Sequence, residues 1–139
     1  MIFLPQRTQR SLRENGMTDD DPLTGKIIAA AIEVHRTLGP GLLESIYEEA
    51  LCHELSLRGI PFERQKQQDV VYKGHVIKGQ RIDLVVSGEV VVEIKSVQAL
   101  QDAFVAQVLS YLRSTGLKRG LLLNFGAETL VKGLKRISL

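Results

Sequence analysis

The stretch RIDLVVSGEVVVEIKS, residues 81–96, decides the fold. Two apolar runs flank Ser87-Gly88-Glu89, a turn-forming triplet, so the segment predicts a β-hairpin. Side chains two apart on a strand point to the same face, which puts Glu93 and Lys95 together among apolar neighbours. A three-residue loop pairs Val86 with Val90 and sets Asp83 opposite Glu93, with Cβ atoms about 5 Å apart. A two-residue loop without a bulge would send Asp83 to the other face. The first register gathers Asp83, Glu93 and Lys95 into one polar cluster on an apolar sheet.

Two carboxylates that close repel and raise each other's pKa unless a cation lies between them. A hard divalent ion such as Mg²⁺, or Mn²⁺ in its place, takes oxygen ligands, keeps waters and leaves positions for a phosphate. It polarises a phosphoryl oxygen and acidifies a bound water. Lys95, a compact charge with three donors, suits holding that water or stabilising charge on phosphorus. By themselves Glu93 and Lys95 read as a partly exposed ion pair of little energetic weight.

Upstream of the hairpin, LTGKIIAAAIEVHRTL places Ile27, Ala31, Val34 and Leu38 on one helical stripe, with Ile28 and Ile32 beside it. TDDDP before it reads as a helix start. Gly39-Pro40-Gly41 ends this helix. A second runs from Leu42 to about Arg58, with Leu43, Ile46, Tyr47, Ala50 and Leu51 on its buried face and Gly59 as its stop. Extended segments follow as FERQ, VVYKGHVI with a turn at Lys73-Gly74, RIDLVV and VVVEIKS. Helical spacing returns in LQDAFVAQVLSYLRSTG, and RGLLLNF reads as a central strand. The last stretch, through GLKRISL, suits a small helix, an edge strand or both. The predicted order is α-α-β-β-β-β-α-β, an α/β (α+β) layer structure.

Residues 1–16 are polar and without clear periodicity, and read as a mobile extension ahead of a single domain over 17–139. The 139 residues suffice for one core. No apolar run is long enough to span a bilayer, and IFL is too short for a secretory signal, so no membrane partner and a cytoplasmic location are expected. Cys52 is the sole cysteine, which excludes an internal disulfide framework. Net charge is +2, so no global basic field announces nucleic acid. A local one begins at Arg113, where six basic residues meet one acid, Glu128.

Asp83 followed by Glu93-Ile94-Lys95 resembles the D…(D/E)XK signature of the PD-(D/E)XK nuclease superfamily. GPGLLESIYEEAL holds Gly41, Glu44 and Tyr47 in the spacing of the GxxExxY family, a branch of that superfamily. VHRTLGPGLLESIYEEAL, Tyr72 to Gly74, RIDLVV, VEIKSV, AQVLSYL and GLLLNFG are similar to successive blocks of that branch, from about Leu23 to the C-terminus. The resemblance implies a restriction-endonuclease-like αβββαβ core, a mixed central sheet flanked by helices, with an extra N-terminal helix here. It implies Asp83 and Glu93 as metal-binding carboxylates, the Ile94 carbonyl as a further ligand and Lys95 as the catalytic lysine. Glu44 matches an additional glutamate brought to the metal or its waters, and Gln107 a polar residue pointing back from the following helix. Ile82 stands where the formal motif has proline.

Helix geometry agrees with part of this. Glu44 lies one turn before Tyr47, within expected reach of the cluster, while Glu48 and Glu49 turn progressively to solvent. Gln107 and Tyr111 share a face, and Tyr47 and Tyr111 are candidate hydrogen-bond partners of the carboxylates. His53-Glu54 begins HExxH, but position 57 is Leu, so a zinc-protease reading fails. No GK[ST] follows Gly41, so there is no phosphate loop. His35 is expected to cap or pack near the end of the first helix, and Cys52 to be inert. The expected function is metal-dependent hydrolysis of phosphodiester bonds in nucleic acid, DNA above all. A domain this small would draw specificity from a homodimer, a larger protein assembly or structure-selective binding. The rival reading is a non-catalytic nucleic-acid-binding or regulatory subunit of a DNA-processing or defence assembly that keeps the fold.

Overall fold

The computed structural model describes residues 21–139. The expectations for residues 1–16 and for Met17 to Asp20 lie outside that range. Asp21 caps the first helix, α1 (Pro22–Leu38), by accepting from the Thr24 N–H, and Pro22 occupies its first turn, where no backbone donor is needed. Arg119 meets the same Asp21 carboxylate at 2.7 Å, tying the helix start to the sheet. After Gly39-Pro40-Gly41, α2 runs Glu44–Leu57. The sheet follows as β1 (Phe62–Tyr72), β2 (His75–Val86) and β3 (Val90–Lys95). Then come α3 (Asp102–Thr115), β4 (Arg119–Asn124), a 3₁₀ turn (Val131–Gly133) and β5 (Leu134–Ser138). The C-terminal stretch thus forms both a short helical turn and an edge strand.

The five strands lie side by side in chain order, and only β3 and β4 are parallel. That one parallel pair needs a crossover, which α3 supplies. Side-chain alternation divides the core in two. Leu84, Val86, Val92, Ile94, Leu121 and Leu123 pack under α1 and α2. Val85, Val91, Leu122 and Ile137 pack under Val108, Tyr111 and Leu112 of α3. The result is a mixed sheet between helical layers, a restriction-endonuclease-like fold.

Two expectations are corrected. The four predicted strands before α3 are three, because FERQ continues into VVY as β1 and HVI continues into RIDLVV as β2. The polar residues between those pieces carry no apolar alternation, so the sequence pattern broke where the backbone ladder did not. The turn falls at Lys73-Gly74 as expected, both with positive φ. The second correction concerns α2, whose buried stripe is Tyr47, Glu48, Leu51, Cys52 and Leu55. Leu43 is 70% exposed and Ile46 43%. Apolar residues line too wide an arc of this helix to fix its rotation, and packing against the sheet turned Glu48 inward instead of Ile46.

Candidate active site

The hairpin of β2 and β3 adopts the three-residue register, with Val86 opposite Val90 and Leu84 opposite Val92. The ladder ends at that pair, and one residue beyond it the Asp83 carboxylate comes close enough to act on Glu93. The Asp83 carboxylate accepts the Ile94 N–H at 2.9 Å through Oδ2. Glu93 and Lys95 alternate with Val92 and Ile94 and therefore face the α3 layer. The Lys95 ammonium lies 3.5 Å from Glu93 Oε2 and 4.5 Å from the centre of the Phe104 ring on α3, a cation–π geometry. Glu93 is only 4% exposed, and its Oε1 has no hydrogen-bond partner.

A buried carboxylate without full pairing resists ionisation. Burial first, and the Asp83 carboxylate second, push Glu93 up to about 8, with Lys95 opposing them. The same charges act on Tyr111, whose phenol burial and the neighbouring Glu93 and Asp83 push up to about 12. Its hydroxyl donates to the Arg81 carbonyl at 3.0 Å. Gln107, one turn earlier on α3, lies beside that phenol. Asp83, Glu93, Gln107 and Tyr111 all line one cleft of about 720 Å³, whose other wall is Gln65, Gln67, Gln80 and Arg81 of β1 and β2. Its size suits a ligand rather than a packing defect.

Other predicted residues lie elsewhere. Glu44 is exposed at the first residue of α2 and has no hydrogen bond or ion pair to the cluster. The Tyr47 hydroxyl donates to the Gly39 carbonyl and accepts the Leu42 N–H, so it closes the interhelical turn and does not touch the carboxylates. Its ring stacks on Phe125. His35 packs as expected, donating from Nε2 to the Ala127 carbonyl at 2.8 Å. Cys52 is buried, and that burial pushes its thiol up to about 11.

Sequence reasoning missed Glu48 and Gln65. Glu48, expected to face solvent, is 8% exposed and accepts Arg64 Nε at 2.6 Å and Gln65 Nε2 at 2.7 Å. A salt bridge from β1 thus accommodates the inward turn of α2. No local signal marks Glu48, since Glu44, Glu48 and Glu49 are alike in sequence. Asn124 was also missed. Buried at the end of β4, it accepts the Val97 N–H and donates to the Val97 carbonyl, fixing the chain two residues after Lys95.

An acid pair lining a cleft under the crossover helix, with a lysine two residues along the same strand, is the arrangement of one nuclease architecture. A family model of the PD-(D/E)XK nuclease superfamily matches residues 21–137. The chain belongs to the PD-(D/E)XK nuclease superfamily. No curated protein and no solved structure matches it. Membership carries with it a nucleic-acid substrate and phosphodiester chemistry as the superfamily's type of activity. Among the described residues no helix is long and apolar enough to cross a membrane.

PD-(D/E)XK nucleases typically use divalent metals, so the fit of such an ion can be tested on the donor set. Among the described residues no three His, Cys, Asp or Glu side chains converge into a metal-binding group. An ion here would rest on two carboxylates, with waters, a backbone carbonyl or substrate phosphate completing its shell, which is the habit of Mg²⁺ rather than of zinc. The unpartnered Glu93 Oε1 beside Asp83 is a buried oxygen that a cation would satisfy. The residues fit a hard divalent ion.

Proposed function

We propose that this protein is a metal-dependent nuclease that hydrolyses phosphodiester bonds, with DNA as substrate, and that it belongs to the GxxExxY branch of its superfamily. The observation that carries the activity is the meeting of the buried Glu93 with the half-buried Asp83, with Lys95 alongside. The branch and the preference for DNA rest on the sequence blocks around Gly41, Glu44 and Tyr47. Asp83, Glu93 and the Ile94 carbonyl would hold Mg²⁺ or Mn²⁺. When bound, such an ion supplies Lewis-acid polarisation of a phosphoryl oxygen and lowers the pKa of a bound water.

The chain's own groups divide the remaining work. Lys95 offers a cation on the same face as the acid pair, where it orients an attacking water and neutralises charge that develops on the phosphate oxygens. Phe104 limits the ammonium's freedom, so less entropy is lost when it engages. Arg81 and Gln107, on opposite walls of the cleft, are placed to hold a phosphate and its sugar. Glu44 would enter only through waters, given its exposed position.

Cleavage of supercoiled plasmid, single-stranded DNA and RNA, with Mg²⁺ or Mn²⁺, tests this reading. Wild type is expected to cut in a metal-dependent manner, and Asp83→Ala and Lys95→Ala to lose at least about a hundredfold in rate. Equal activity in both variants would place the chemistry elsewhere. Nucleic-acid binding by wild type without cleavage under either metal would favour the non-catalytic subunit.

A further inference from the structure

Gln65 has a backbone unlike that of its neighbours. Three described non-glycine residues have positive φ, and two of them, Lys73 and Ser87, sit in hairpin turns that require it. The third, Gln65, has φ +54° inside β1. Arg64 pairs with Leu84 and Lys66 with Ile82, while Gln65 and Asp83 between them drop out of the ladder and meet through their side chains instead. A left-handed non-glycine residue is strained, and persists only where surrounding contacts enforce it.

Those contacts are two carboxylates. The Gln65 amide nitrogen lies 2.7 Å from Glu48 Oε1 and 3.5 Å from Asp83 Oδ1. Ionised carboxylates only accept, so the NH₂ end of the amide must face both, and each of its hydrogens has a target. Asp83 is consequently held on both oxygens, by Gln65 on one and by the Ile94 N–H on the other. Behind Gln65, Glu48 is fixed in turn by the Arg64 guanidinium, which also reaches Glu49 at 3.3 Å. The chain Arg64–Glu48–Gln65–Asp83 connects α2, on one side of the sheet, to the acid pair that faces α3. Gln65 also lines the cleft.

The geometry points to Gln65 as a positioning residue for Asp83, anchored to the buried Glu48 of α2. It acts through Asp83 and does not itself ligate the ion, and the left-handed turn in β1 is what aims its amide between the two carboxylates. The inference rests on the metal-site reading proposed above.

The test is Mn²⁺ binding to the full-length protein by titration calorimetry, with thermal unfolding and cleavage kinetics run in parallel. Gln65→Met keeps the length of the side chain and removes both donors. Gln65→Asn tolerates the left-handed backbone but is one methylene too short to bridge. Both are expected to weaken Mn²⁺ binding about tenfold or more, and to lower kcat with KM little changed. A purely structural role would lower the unfolding midpoint and leave the affinity of the folded protein intact. Affinities within twofold of wild type in these variants, while Asp83→Ala has lost the ion, would overturn the inference alone. Mn²⁺ binding that survives Asp83→Ala would instead overturn the site reading on which it rests. Should Gln65→Met fail to fold, Gln65→Asn decides.

Discussion

Glu93 shows how far one side chain's meaning depends on its surroundings. On the strand it is an acid two residues from a lysine, and that pairing was readable as alternation. How firmly it holds its proton was not, because burial, the largest cause, is a tertiary fact. The sign of the resulting pH dependence follows from linkage. The unfolded chain loses the proton near 4.5, whereas the native state keeps it to about 8. Between those values the native state binds more protons, so stability falls as pH rises, by up to about 1.4 kcal/mol per pH unit. Thermal midpoints of metal-free protein should therefore drop from pH 5 to 8 more steeply in wild type than in Glu93→Gln. Equal slopes would mean that Glu93 ionises normally. Glu48 and Gln65 make the complementary point. Their hydrogen bond joins residues seventeen apart, and nothing in either residue's local sequence distinguishes it from its polar neighbours.

Among the elements, β3 and the ends of its partners decide whether Lys95 is where the proposed chemistry needs it. The Lys95 carbonyl accepts the Phe125 N–H at 2.8 Å, and Asn124 grips both backbone groups of Val97. Gly126 lies so close that a Cβ there would meet the Val97 carbonyl oxygen at 2.3 Å and its nitrogen at 2.7 Å. Backbone cannot yield as a side-chain tip does. Gly126→Ala is expected to cost about 2 kcal/mol, read as a lower urea midpoint with unchanged m, and to reduce cleavage per folded molecule by displacing β3. An unchanged midpoint would show that the loop after β4 adapts freely. The hairpin of β2 and β3 was legible because apolar runs and a turn triplet fixed its register. The outer ribbon of β1 and β2 was legible only in pieces, since its middle is polar and held by the backbone ladder. The α2 helix was legible as a helix but not in its rotation, because its apolar arc is broader than the stripe it buries.

At the scale of the whole molecule, one sheet separates two cores, and the acid pair sits on the α3 side while its proposed anchor comes from α2. Because every strand shares both faces, the two cores should melt together. Cys52 reports on the α2 side. Its buried thiol, pushed up to about 11, should react negligibly with a disulfide reagent at pH 8 until the protein unfolds. Thiol exposure and loss of far-UV circular dichroism should then trace one transition in urea, and a thiol that reacts first would show that the α1–α2 layer opens separately. The sequence by itself determined the three helices, the register of the β2–β3 hairpin and hence the meeting of Asp83 with Glu93 and Lys95. Those follow from periodicity and turn chemistry, which are local and repeat along the chain. Only the tertiary structure decided that Glu48 rather than Glu44 turns inward, that Gln65 twists to reach Asp83 and that Asn124 holds the strand end. These depend on which of several equivalent side chains meets a partner from a distant segment, and that is settled by packing, when whole layers come together.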